Sequence, residues 1–132
     1  MTIFDQTLHP LPLALLRNLD AHGVKYASFT GSISNGVEQQ IVAAVTGKRI
    51  RVLAGTIAHD GAGSLLAEWR SGTGGPSTLL GPMFVVSTVP HWSLNECSFG
   101  HFHTVAGEAL ILKNTGALAR TVHLFITYTE VG

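Results

Sequence analysis

The sequence predicts an all-β fold: an antiparallel β-sandwich or jelly-roll-like body preceded by an N-terminal arm with one short helix. Three observations carry this expectation. Apolar residues alternate with period 2 in several segments after Val24, turn signals separate those segments, and the body shows no sustained helical period. Short strands at roughly ten-residue spacing indicate a sandwich, jelly roll or barrel. Strand–helix alternation is missing, which argues against a parallel α/β fold. At 132 residues the chain has the length of one domain.

In chain order, residues 1–23 form the arm and 24–132 the β domain. Pro12 suits a first helical turn, where its missing N–H costs nothing. Leu13, Leu16 and Asp20 then share a face, with Leu15 and Leu19 beside it. Gly23 is the expected left-handed stop. A helix of about ten residues is marginal alone and needs a surface to pack on. The surface is either the body's own core or a partner. In the body, Lys48–Ile57 starts with Ile50 and Val52 on one face and Arg49 and Arg51 on the other. Ser64–Arg70 turns Leu65, Ala67 and Trp69 inward, and Glu108–Lys113 places Leu110 and Leu112 together. Arg120–Thr129 does the same with Val122, Leu124, Ile126 and Tyr128. Turns fall at Ser34-Asn-Gly36, Asp60–Gly63, Ser71–Pro76, Gly81-Pro82 and Asn114-Thr-Gly116.

Composition narrows the function. Charged residues are 12% of the chain and the formal net charge is zero, against ~25% charged in a typical soluble domain. A nucleic-acid binder needs a basic excess, and a polybasic membrane anchor needs a cluster, so neither partner is expected. The Met1 end lacks the basic start of a secretory signal. The apolar stretch Leu11–Leu19 is interrupted by Pro12, Arg17 and Asn18 and falls short of the ~20 residues of a membrane span. Cys97 is the single cysteine, so no intramolecular disulfide forms and the fold does not depend on an oxidising compartment.

Motifs for catalysis are sparse. Gly72–Ser77 lacks the Lys-Ser/Thr of a P-loop, and Gly61-Ala-Gly63 lacks a third glycine and a following helix. There is no Gly-x-Ser-x-Gly elbow. Cys97 reads as a small core residue rather than as the partner of a histidine. The sharpest chemical pattern is His101-Phe-His103-Thr-Val-Ala-Gly-Glu108. Two histidines at i and i+2 point the same way on a strand, and Glu108 follows a turn. That spacing resembles the first metal motif of cupins, with His91 or His123 as a further ligand to Zn, Fe or Mn. Against it, Asn95 stands where the cupin glycine belongs, and the second cupin motif is not recognisable.

A second resemblance spans more of the chain. Ile41-Val-Ala-Ala-Val-Thr-Gly-Lys-Arg-Ile-Arg-Val-Leu53 is followed by Trp69-Arg-Ser-Gly72, Gly81-Pro82, Phe102-His-Thr-Val-Ala-Gly-Glu-Ala-Leu110 and Tyr128-Thr-Glu-Val131. The order and spacing over about residues 37–131 resemble the small β domain of tailed-bacteriophage capsid decoration (cement, head-stabilising) proteins. The resemblance implies a structural virion protein, not an enzyme. Such a protein is made in the host cytoplasm, binds the capsid exterior as a homotrimer and bridges subunits of the major capsid protein. It implies no cofactor and no metal: Gly107-Glu108 belongs to the fold, and His101 and His103 are local additions. The arm lies outside the shared pattern, so Leu13, Leu15, Leu16 and Leu19 are the candidate partner-binding residues. The alternatives are another virion β module (a head fibre base, a tail component or a glycan-binding domain) and the cupin-like metal protein. A glycan binder exposes aromatic platforms. Trp69 and Trp92 are the only tryptophans, and Trp69 reads as core.

Overall fold

In a computed structural model the structure describes residues 23–60, 63–81, 84–86, 92–97 and 99–132. The helix expected within residues 1–23, and with it Leu13, Leu15, Leu16 and Leu19, lies outside the described residues, apart from Gly23. That glycine has φ +66°, in the left-handed region. No helix occurs among the described residues.

The strands are β1 (Lys25–Ile33), β2 (Glu38–Val42), β3 (Arg49–His59), β4 (Leu65–Gly72), β5 (Thr78–Leu79), β6 (Phe84–Val86), β7 (Trp92–Leu94), β8 (Phe102–His103), β9 (Ala109–Asn114) and β10 (Arg120–Val131). They form two five-stranded sheets. The first runs β1-β10-β3-β7, with β8 also on β3; the second runs β2-β9-β4-β5, with β6 also on β4. Every pairing is antiparallel. The chain alternates between the sheets from β1 to β4 and again from β8 to β10, while β4–β6 stay in the second sheet and β7–β8 in the first; the inner faces share one core.

That core is the alternation made real. Ile50, Val52, Leu65, Ala67, Trp69, Leu110, Leu112, Val122, Leu124, Ile126 and Tyr128 are all buried, joined by Ile33, Val42, Ile57 and Val86. The long strands match the segments marked by period-2 patterning. β1 has a weaker signature because its inward positions include Ala27 and Gly31 as well as Phe29 and Ile33.

β3 departs from simple alternation. Tyr128 pairs with Val52 and Thr127 with Ala54, leaving Leu53 as an extra residue. This bulge reverses the parity of the strand: Ile50 and Val52 face inward before it, Gly55, Ile57 and His59 after it. Gly55 is required at the crossing. A Cβ there would sit 2.6 Å from Ile126 Cγ2 and 3.1 Å from the Phe125 carbonyl oxygen.

Candidate functional site

Four of the five motif segments meet at one end of the sandwich; Gly81 is not among the residues joined there, and Pro82 lies outside the described residues. Thr104 is fully buried, and its N–H donates to the Ile50 carbonyl (2.9 Å). Its Oγ1 accepts from the Ile50 N–H (2.8 Å). The Val105–Glu108 turn closes with the Glu108 N–H on the Val105 carbonyl. Gly107 sits at its third position with φ +80°, and its N–H reaches the Lys48 carbonyl (2.7 Å). Buried Ser71 at the end of β4 ties this turn to the second sheet. Its hydroxyl donates to Glu108 Oε1 (2.6 Å) and accepts from the Val105 N–H (2.9 Å). Gly72 pairs with Ala109, and Val131 pairs with Arg49. The shared motif residues are thus joined in a hydrogen-bonded seam that locks the two sheets together.

The His101–Glu108 segment forms no metal-ligand cluster in this geometry. Glu108 is held by Ser71. His101 Nε2 donates to the Asn95 carbonyl (2.7 Å) and His103 Nδ1 to the Thr104 carbonyl (3.0 Å). Phe102 between them packs against the core, leaving both histidines exposed. His123 lies 2.8 Å from Asp60, and His91 lies outside the described residues. No group of three His, Cys, Asp or Glu side chains able to hold an ion occurs among the described residues. Cys97 Sγ faces the Gly100 carbonyl at 3.8 Å.

The outer faces of the two sheets differ in kind. On the second sheet Glu38, Lys113 and Glu68 lie in one cross-strand row, with Gln40, Ile111 and Arg70 in the next. Arg70 joins them: Nη1 donates to Glu68 Oε2 (2.6 Å) and Nε to Ser77 Oγ (2.6 Å), while Ser77 Oγ donates to Glu38 Oε2 (2.7 Å). A shallow depression of about 330 Å³ beside them is lined by Glu38, Gln40, Gly72, Thr73 and Ile111 among others.

The first sheet carries almost no charge on its outer face. Its rows read Tyr26–Thr127–Ala54, then Ser28–Phe125–Thr56–Ser93, then Thr30–His123–Ala58. Arg51 bounds this field at one end and Asp60 at the other. Tyr26 and Phe125 stack at 5.8 Å across it and are 72% and 46% exposed. Sequence reasoning missed this pair because an aromatic at an outward strand position breaks no periodicity. A signal was present in the absence of Lys, Arg or Glu from the outward positions of β1 and the middle of β10.

No protein-family model matches the chain, and no curated protein matches its sequence. Among solved structures the chain is similar to one titled "Crystal structure of PirA", at 18% identity and a TM-score of 0.48, over 76% of this chain and 92% of that chain.

Proposed function

We propose that this chain is a structural virion protein: a tailed-phage capsid decoration protein that works as a homotrimer on the capsid exterior, with the major capsid protein as its partner. The observation that carries the reading is the division of charge between the two outer faces. Paired charge (Glu38, Glu68 and Arg70, with Lys113 beside them) covers the second sheet, while the first offers a field of Ser, Thr and Ala around the Tyr26–Phe125 stack. Desolvating unpaired charge is costly, and interface cores are depleted of charge and enriched in aromatics, so the first face is the one suited to burial. The motif resemblance supplies the identity of the assembly, and the seam around Ser71, Thr104 and Glu108 gives those motifs a scaffolding role.

The size of the field supports a trimer as the working unit. Strand and residue spacings give the neutral field roughly 400 Å², about half the ~800 Å² per partner of a standard interface. One copy binds weakly; three linked copies gain from effective concentration. The test is to add purified protein to capsids of the cognate phage assembled without it, and to measure occupancy by co-sedimentation. Saturable binding supports the reading, and failure to bind overturns it.

A further inference from the structure

Both tryptophans of the chain line a single cleft. It opens where the edge strands of the two sheets are interrupted at the same level. On the second sheet β6 leaves β4 at Ala67 and β5 joins it at Arg70. On the first, β8 pairs with β3 at Val52 and β7 at Gly55. Trp69, Leu80, Phe84, Trp92, Leu94 and Phe102 line the resulting space of about 210 Å³. The rings pack on one another: Phe84 on Trp92 at 4.7 Å, Trp69 on Phe102 at 5.7 Å and Trp69 on Trp92 at 6.2 Å. Trp69 is 4% exposed, and its Nε1–H has no acceptor among the described residues.

The chemistry of the cleft selects its occupant. A space below the ~300–1,000 Å³ of ordinary ligand pockets does not admit a nucleotide or an oligosaccharide. A sugar's hydroxyls would also go unpaired against four aromatic rings, a costly outcome. What fits is one or two aliphatic side chains, delivered by an apolar segment. The chain holds such a segment outside the described residues: Leu13, Leu15, Leu16 and Leu19, ahead of the point where the backbone enters β1. Lys25 lies in the same cross-strand row as Phe102, through Tyr128 and Val52. Three strand spacings separate them, roughly 14 Å. The six residues from Leu19 to Lys25 span up to about 20 Å when extended, so the leucines have the reach.

We infer that the leucine segment of residues 11–19 docks on this protein's own fold by seating leucine side chains in the Trp69–Phe84–Trp92–Phe102 cleft. The cleft is filled in this way whether or not the protein decorates a capsid, and the test uses the free protein. Because Trp69 and Trp92 are the only tryptophans, intrinsic emission reports on the cleft alone. The full-length variant Leu13→Ser/Leu15→Ser/Leu16→Ser/Leu19→Ser should show red-shifted emission and stronger acrylamide quenching than wild type, with unchanged β-sheet circular dichroism. A synthetic peptide of residues 1–22 should reverse both changes. Should the fourfold variant lose its β signal, Leu16→Ser and Leu19→Ser singly carry the same reading. Identical emission and quenching in wild type and variants, with no response to the peptide, would overturn the inference.

Discussion

Ser71 ties the β8–β9 turn to β4 through a single hydroxyl, donating to Glu108 and accepting from the Val105 N–H. Removing it leaves both groups without this partner in a part-buried site, so Ser71→Ala should destabilise by about 1–3 kcal/mol in urea denaturation. Leu124, 4% exposed on β10 between β1 and β3, should cost about 2–5 kcal/mol as Leu124→Ala. A loss below ~0.5 kcal/mol, the range of surface substitutions, would contradict the inward placement of either side chain. The inward apolar residues were legible in the sequence because a half-buried strand must alternate with period 2. Ser71 and Thr104 were not legible as core, since a buried hydroxyl depends on a partner more than thirty residues away that no local pattern reveals. The His101–His103–Glu108 spacing was legible, but the hydrogen bond from Ser71 to Glu108 was not, because it joins residues far apart in the chain.

β3 shows where pattern reading stops within an element. Val52-Leu53-Ala54-Gly55 is uniformly small or apolar, so nothing local announces that Leu53 is an extra residue and that the strand changes parity there. Deleting Leu53 would remove the bulge and run Val52 directly into Ala54, a regular alternation that keeps Ile50, Val52, Gly55, Ile57 and His59 all facing inward. The expected result is a protein that keeps its β-sheet circular dichroism and unfolds cooperatively; loss of both would contradict the assignment of Leu53 as the extra residue. Gly55→Ala tests the same crossing. The added methyl overlaps Ile126 Cγ2 at 2.6 Å, and overpacking of this kind costs about 1–3 kcal/mol; unchanged stability would mean that β10 lies further from β3 here. The short edge strands β5, β6, β7 and β8 carried too few residues for any period to be read, and the aromatic cleft between them was invisible for that reason.

The molecule as assembled is a sandwich with one charged and one neutral outer face, and its solution behaviour should follow from that difference. Sedimentation equilibrium at micromolar concentration should give three times the chain mass of 14.0 kDa; a monomer both in solution and on capsids would contradict the proposed trimer. Fold class and long strands came through in the sequence because they rest on local alternation. The contact face did not, because its outward Ser, Thr and Ala residues acquire meaning only when register places them side by side. The most direct measurement is therefore occupancy of cognate capsids assembled without this protein, comparing wild type with Tyr26→Lys/Phe125→Lys. Wild type should bind saturably. The variant should keep its β-sheet circular dichroism and bind at least about tenfold more weakly, since burying unpaired charge costs several kcal/mol. Equal binding by the two proteins, or no binding by either, would contradict the assignment of the neutral face to the capsid.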